Sequence, residues 1–338
     1  MRSRSRSYLA LAATAALAFA ACTRENGTLG PAPFPNSPTV FTDNFGESVN
    51  FAAFGGSKVD ALSIDNTVKH SGSSSLKITV PSVGDPAGSY AGGAFVVGVP
   101  RDLSSYNVLS FWARASIPAV LNVAGIGNDN TGNSLYTAER NNIQLMTSWA
   151  KYTIAIPLAS KLIEEQGLFY FAEGPENGVG YEIWIDDVRF EELNTVVNVR
   201  PTIAGGTILE DIGGTRTITG TAVTVAVDGV DQTVNAYPAY FTFASSNAAV
   251  ATVSAAGVVT VLGAGTTNIT ATLGTTPAAG TLALTGIAPP AVAAPTPTRL
   301  AADVISLFSN AYTNVPVGTF SADWDQADVA DVQIAGNA

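Results

Sequence analysis

The sequence predicts an all-β protein, and three observations lead to that class. Short segments of alternating apolar and polar residues recur along the chain, and only residues 157–166 have a helical period. The 338 residues include 32 Gly and 18 Pro, which separate these segments as turns. Only 13% of the residues are charged. A chain of this length has room for two β-sandwiches in succession.

Composition excludes several kinds of site. One His and one Cys exclude a His/Cys zinc site, a disulfide framework and a Cys–His nucleophile pair. The net charge is −11, and the five Lys residues form no cluster in the sequence. Nucleic acids require clustered positive charge, so we expect no nucleic-acid partner.

The N-terminus has the pattern of an export signal. Three Arg residues lie within the first six positions, and the apolar run at 9–19 is too short to span a bilayer as a stable anchor. Small residues follow the run and lead to the single Cys of the chain. The sequence therefore predicts a signal peptide over residues 1–21.

The residues before that cysteine resemble a bacterial lipobox. In the stretch 18–22, Phe19 replaces the usual leucine, and Cys22 stands at the cleavage point. The resemblance implies a lipoprotein lipidated on Cys22, and Thr23 after it implies retention at the outer membrane or cell surface. Ordinary secretion with an incidental cysteine is the alternative. Residues 22–38, rich in Pro and Gly, are predicted to form an extended tether.

Residues 39–194 are predicted to form the first β-sandwich. The predicted strands are 75–80, 93–99, 108–115, 120–126, 149–156, 167–172 and 181–190. Five motifs occur in the order VFTDNFGES, HSGSSSLKITV, LSFWARAS, TSWAKYTIAIPL and YEIWIDDVRFEE. Their order resembles the jelly-roll carbohydrate-binding modules, which are galactose-binding-like. The resemblance implies a jelly roll that binds polysaccharide, with β-glucan among the candidates.

Within the strand at 108–115, successive side chains lie on opposite faces. If Phe111 faces the core, Trp112 and Arg114 lie on the outer face of a sheet, where an indole stacks on sugar rings and a guanidinium pairs with hydroxyls. The alternative is that Trp112 covers an edge of the core and Arg114 pairs with a carboxylate. The other candidate sugar-binding residues are Tyr90, Asn122, Tyr136, Glu139, Arg140 and Gln144.

Two further groups of polar residues bear on whether the first sandwich holds a metal ion or a catalytic site. Related modules hold a structural calcium ion with carboxylates near the chain ends, which implies Asp43, Glu47 and Asp187 as ligands here. The alternative is that Asp186 and Asp187 only solvate a strand end. Family 16 glucanases carry an E-x-D-x-x-E pattern, which the string at 182–186 does not match, and His70 lies in a turn typical of a surface histidine. We therefore expect no catalytic site in the 338 residues.

Residues 195–288 are predicted to form a second sandwich. The stretch 241–272 contains an SSN turn, a hairpin at Gly257 and a GAG bend, and it resembles the group 2 bacterial immunoglobulin-like domain. Further hairpins are predicted at 213–214 and 228–229. The resemblance implies a spacer or an adhesion module.

The remaining residues predict a linker and a new module. Pro and Ala alternate over 289–298 as a stiff linker, and 299–338 resembles the start of a β module of secreted glucan-active proteins. Forty residues are too few to fold alone, so we expect the module to continue beyond Ala338. An early stop or a strand donated to a neighbour are the alternatives.

The order of these segments favours a surface lipoprotein that binds polysaccharide through its first sandwich, beside neighbouring glycan-uptake proteins. One alternative is the N-terminal accessory part of a secreted glycoside hydrolase, for example a family 16 glucanase-like enzyme, whose catalytic domain lies further along the chain. A structural or adhesion lipoprotein is the other.

Overall fold

A computed structural model describes residues 33–288, 296–307, 309 and 311–316. These residues form 22 β-strands and three short 3-10 turns, with no α-helix among them. The predicted all-β class is therefore confirmed. The chain divides into two compact units, Met1–Ile287 and Ala288–Ala338.

The first region, residues 39–194, contains eleven strands, and every strand predicted there is present. The bounds are β1 (Thr39–Phe41), β2 (Val49–Ala53), β3 (Leu62–Asp65), β4 (Ser75–Val80), β5 (Ala91–Arg101), β6 (Val108–Ala115), β7 (Ala119–Ile126), β8 (Ala138–Leu145), β9 (Ala150–Ala155), β10 (Glu165–Glu173) and β11 (Tyr181–Glu191). The segment with a helical period, residues 157–166, forms no α-helix: it contains the 3-10 turn Ala159–Lys161 and the first two residues of β10. Sequence reasoning missed β1, β2, β3 and β8, because the first three are short and β8 is mostly polar.

Two sheets of the first region enclose its core. The six-stranded sheet has the order β3-β4-β11-β6-β9, with β1 also paired to β11. Phe111 of this sheet is fully buried, and its ring centroid lies 5.4 Å from that of Phe169 in β10 of the opposite sheet. The Phe111 face is therefore the core face, and Trp112 and Arg114 lie on the outer face, as expected.

Strands of the second region, residues 195–288, occupy three sheets. The bounds are β12 (Val197–Thr202), β13 (Gly206–Asp211), β14 (Thr215–Thr217), β15 (Ala222–Val227), β16 (Val230–Ala236), β17 (Thr242–Ser245), β18 (Ala251–Val253), β19 (Val258–Val261), β20 (Gly265–Leu273), β21 (Thr276–Pro277) and β22 (Leu282–Ile287), with a 3-10 turn at Pro238–Tyr240. The hairpins at Gly257 and at 228–229 are confirmed. Asp228 and Gly229 have φ of 51° and 79°, which a type I′ turn requires.

The hairpin predicted at 213–214 is wrong. Strand β13 before this turn pairs in parallel with β22, whereas β14 after it pairs with β19 of another sheet. The two glycines carry the chain from one sheet to the other, so local turn chemistry indicated the turn but not its partners.

One sheet runs through both regions. The eight-stranded sheet has the order β12-β15-β16-β8-β7-β10-β5-β2, so three strands of the second region continue a sheet of the first. Asn235 and Ala236 of β16 pair with Glu139 and Ala138 of β8. On the inner side, the buried Gln232 donates a hydrogen bond of 2.9 Å to Thr153 Oγ1. The boundary predicted near residue 195 therefore marks a change in the sequence pattern, whereas the eight-stranded sheet contains strands from both sides of it.

The second compact unit is described only in part. It contains the 3-10 turn Ala301–Asp303 and a bridge between Ser306 and Asn314. Most of the predicted linker at 289–298, much of the predicted module at 299–338, and the predicted signal peptide with Cys22 lie outside the described residues. Within the described ranges, no helix has the length and apolar character to cross a membrane.

Candidate functional site

The outer face of the six-stranded sheet carries an aromatic stack around Trp112. The ring of His70 lies parallel to the indole, with centroids 3.8 Å apart and planes inclined by 13°. Trp149 contacts the same imidazole edge-on at 5.8 Å. His70 Nδ1 is 2.9 Å from Asp187 Oδ2, and the Ser71 hydroxyl donates to the same carboxylate. A protein side chain thus covers one face of the Trp112 indole.

Arg114 lies over a second indole on the same face. Its guanidinium carbon is 5.5 Å from the centroid of Trp184, which is 7% exposed. Trp184 Nε1 donates a 2.9 Å hydrogen bond to Asp65, and this bond is the main cause of the lowered pKa of that carboxyl. Arg114 Nε is buried without a hydrogen-bond partner. On this face the indoles of Trp112 and Trp184 are already in contact with other side chains. Sugar binding by Trp112 and Arg114 stays a prediction.

A cleft of about 430 Å³ opens at one end of the eight-stranded sheet. It lies between the loop after β7 and the segment before β10, which are adjacent because these two strands are antiparallel neighbours. The Asp129 carboxylate accepts hydrogen bonds from Thr131 and Ser134, which hold the loop in shape. The polar and aromatic residues that line the cleft include Asp129, Asn133, Tyr136, Lys161, Glu165 and Gln166.

Tyr136 is the one sugar-binding candidate that lines this cleft. Lys161 Nζ lies 5.9 Å from the centroid of its ring. Tyr240 of the second region meets the ring edge-on at 5.4 Å and donates a 2.6 Å hydrogen bond to the Tyr136 carbonyl oxygen. Because Tyr240 is 1% exposed, it is a fixed support for the half-buried Tyr136.

Glu165 is a buried carboxyl group in the wall of the cleft. Burial raises its pKa to about 7, and nearby Asp129 adds to the rise. The backbone amides of Gln166 and Gly167 donate hydrogen bonds of 3.0 and 2.9 Å to Glu165 Oε1, which limits the rise. The cleft therefore contains a group that changes charge near neutral pH.

Glu139 and Arg140 are neighbours in β8, and their side chains extend to opposite faces of the sheet. Glu139 Oε2 accepts a 2.6 Å hydrogen bond from the Tyr170 hydroxyl on the outer face. The Tyr170 ring lies on Gly125, where any Cβ would collide with it. Arg140 donates instead to the Thr153 carbonyl oxygen of β9 at 2.6 Å. Only Glu139 of this pair faces the outer surface.

The remaining candidates lie elsewhere on the eight-stranded sheet and its loops. Asn122 Oδ1 accepts the Gly174 amide at 2.9 Å, and the Tyr90 hydroxyl donates to the Gly55 carbonyl oxygen at 2.9 Å. Gln144 is exposed in β8. The eight sugar-binding candidates thus do not share one surface: Trp112 and Arg114 lie on the six-stranded sheet, and Arg140 bonds across to β9. The other five lie on the eight-stranded sheet and its loops, and the roles of all eight stay predictions.

Sequence reasoning missed the charged residues of the cleft. Glu165 begins the strand EQGLFYFAE, and a carboxyl at the start of an apolar strand is a signal for a buried, perturbed group. Glu173 ends the same strand, and burial raises its pKa to about 7 as well. No sequence signal brings Lys161 to Tyr136, because the two residues lie on different loops.

The residues implied as calcium ligands perform separate tasks. The Asp43 carboxylate accepts the backbone amides of Ser73 and Ser74, while the Glu47 carbonyl oxygen accepts a 2.7 Å hydrogen bond from Arg101. Asp187 is engaged with the imidazole already described. Among the described residues, no three His, Cys, Asp or Glu side chains are grouped as metal ligands. Calcium binding by Asp43, Glu47 and Asp187 stays a prediction.

Comparisons with known proteins add the following similarities. The family model for the intimin immunoglobulin-like domain matches residues 238–275, within the predicted immunoglobulin-like region. No curated protein matches the chain. A family 30 carbohydrate-binding module of a cellulosomal cellulase of Clostridium thermocellum is similar in structure, with 18% identity and a TM-score of 0.31 over 48% of this chain and 96% of that one.

Two other solved structures are similar at comparable levels. A family 11 carbohydrate-binding module of a cellulosomal cellulase of Clostridium thermocellum has 12% identity and a TM-score of 0.34, over 47% of this chain and 96% of its own. A β-1,2-glucanase from Parabacteroides distasonis has 14% identity and a TM-score of 0.33, over 75% of this chain. The match spans 38% of the length of that glucanase.

Proposed function

We propose that the first sandwich binds polysaccharide without catalysis and that a sugar unit lies in the cleft against Tyr136. One observation carries this proposal: a supported aromatic ring opens onto a cleft of about 430 Å³ lined by carboxylate, amide and ammonium groups. Sugars present C–H patches that pack on aromatic faces and hydroxyls that pair with such polar groups. A cleft of a few hundred cubic ångströms suits a small number of sugar units.

The hydrogen bonding of Glu165 and Asp129, two of the three carboxyl groups that line the cleft, favours binding over hydrolysis. Glycosidases use two carboxyl groups about 5 to 9.5 Å apart on opposite sides of the bond. Here Glu165 accepts two backbone amides, and Asp129 accepts the hydroxyls of its own loop. Both groups are therefore engaged in holding the walls of the cleft.

Isothermal titration of the purified full chain against soluble β-glucan, mannan, xylan and alginate tests this proposal. We expect heat of binding with at least one polysaccharide and no release of reducing sugar from it. Absence of heat with all four would overturn polysaccharide binding. Release of reducing ends would support the glycoside-hydrolase alternative instead.

We also propose that Cys22 carries a lipid that anchors the protein at the outer membrane or cell surface. The support is the lipobox-like stretch 18–22 with its single cysteine. Labelled palmitate should enter the wild-type protein, and Cys22→Ser should remove the label and shift the protein to the soluble fraction. An unlabelled wild-type protein would contradict the anchor and leave ordinary secretion.

A further inference from the structure

Tyr237 is an exposed aromatic residue contributed by the second region. Half of its side chain is exposed (50%), more than for any other aromatic residue in the described part of the chain. It follows β16 and precedes the turn that contains Tyr240. Tyr240 is buried against Tyr136, whereas Tyr237 faces solvent, so one short segment supplies both a support and an open ring.

Strand pairing places Tyr237 beside the proposed sugar site. Its backbone amide donates a 2.9 Å hydrogen bond to the carbonyl oxygen of Thr137, the residue after Tyr136. Side chains alternate along a strand, so Tyr237 follows the face of Asn235, which pairs with Glu139. That is the outer face of the eight-stranded sheet.

The electrostatics of Tyr170 agree with this placement. Burial is the main cause that raises its pKa, its hydrogen bond to Glu139 adds to the rise, and Tyr237 contributes as well. Tyr237 is therefore near Tyr170, and its strand position places it on the same face as Glu139. That surface belongs to both regions of the molecule.

Polar side chains extend the same surface along the second region. Asn235 and Thr233 are exposed on β16. The hydroxyl of Thr233 lies 2.8 Å from that of Thr224, its cross-strand partner in β15. An amide and two hydroxyls beside an exposed ring supply the hydrogen-bonding partners that a sugar chain requires.

We propose that Tyr237 is a second stacking platform for the polysaccharide bound at Tyr136, so that both regions together form the binding site. This inference rests on the proposed function of the cleft. The platform at Tyr237 recognises the C–H face of a pyranose unit that carries flanking hydroxyls. The immunoglobulin-like region then contacts the ligand directly, which exceeds the role of a spacer.

The test compares full-length variants in the titration described above, with the polysaccharide that gives the largest heat. Tyr237→Ala should weaken binding about three- to tenfold, as expected for one aromatic contact. Tyr237→Phe keeps the ring and should bind within about twofold of wild type. Phe34→Ala removes another exposed ring and is the matched control, with unchanged binding expected. Thermal unfolding of each variant checks that it is folded.

The outcomes separate this inference from the proposed function. If Tyr136→Ala weakens binding and Tyr237→Ala does not, the second platform is overturned while polysaccharide binding stands. If Tyr237→Phe is as weak as Tyr237→Ala, a hydroxyl contact replaces stacking and the platform is overturned. If the wild-type chain binds none of the polysaccharides, both the proposed function and this inference fail.

Discussion

The two outer surfaces of the molecule use aromatic residues in opposite ways. On the six-stranded sheet, Trp112 is stacked on His70, and Trp184 lies under Arg114. At the end of the eight-stranded sheet, Tyr136 opens onto a cleft and Tyr237 faces solvent. The first surface is richer in tryptophan, but its rings already contact protein. The comparison teaches that aromatic content indicates a binding surface only where a ring also borders a cleft or solvent.

The carboxyl groups at the two surfaces also differ, because their pKa values are shifted in opposite directions. The indole N–H of Trp184 is the main cause that lowers the pKa of Asp65. Burial raises the pKa of Glu165 to about 7, despite two amide donors. At Asp65 the hydrogen bond from the indole outweighs burial and lowers the pKa. At Glu165 burial outweighs the two amide hydrogen bonds and raises the pKa. Burial in the wall of the cleft therefore gives Glu165 a charge that changes near neutral pH.

Removal of the support behind the cleft should have the largest effect. Tyr240→Ala deletes a ring that is 1% exposed, so we expect a loss of about 3 to 5 kcal/mol in the free energy of unfolding. Urea denaturation measures this loss. Tyr240→Phe removes only the hydrogen bond to Tyr136 and should cost about 1 kcal/mol. An effect of Tyr240→Ala below about 1 kcal/mol would show that the second region does not support the cleft.

The second-largest effect should be a change in the free energy of unfolding with pH, caused by Glu165. Folded Glu165 keeps its proton up to about pH 7, whereas an ordinary unfolded glutamate has a pKa of 4.5. Between these values the folded state binds more protons at Glu165, so the contribution of Glu165 to stability is largest below about pH 4.5 and decreases by about 3 kcal/mol as pH rises to about 7.

Glu165→Gln should remove that decrease and stabilise the protein at pH 8. Glu173, with a pKa also raised to about 7, should keep its own contribution in this variant. Urea denaturation at pH 5 and pH 8 measures both effects. Equal pH dependence in the wild type and Glu165→Gln would contradict the raised pKa and the difference between the two surfaces.

Binding should then distinguish the surfaces directly. Tyr136→Ala should weaken polysaccharide binding about three- to tenfold, whereas Trp112→Ala should change it less than about twofold because His70 already covers the indole. The titration used for the wild type measures both variants. The reverse ranking would move the sugar site to the six-stranded sheet, as the residue pattern of β6 alone predicts.

The smallest expected effect is at His70. His70→Ala removes the stack on Trp112 and the hydrogen bond to Asp187, and should cost about 1 kcal/mol of stability. It should also expose an indole face, which increases acrylamide quenching of tryptophan fluorescence. Unchanged quenching would indicate that Trp112 is open already, and the contrast between the surfaces would be lost.

Sequence reasoning predicted most of the strands and only part of the site. The alternation in β6 separates its side chains into two faces, because period two is a local property, but only the packing on Phe169 shows that the Phe111 face is the buried one. The aromatic ring of Tyr136 makes it a candidate from the sequence, yet its partners Lys161 and Tyr240 come from distant segments. The burial of Glu165 depends on segments distant in the chain, such as β5, with which it pairs.

The sequence by itself determined the all-β class, the main strands of both regions and the division of β6 into two faces, because turn residues and alternation encode them locally. Only the tertiary structure decided that the Phe111 face of β6 is buried, that β16 pairs with β8 and that His70 covers Trp112. Each of these is a contact between residues far apart in the chain. Such contacts depend on how whole sheets pack, and no local pattern specifies them.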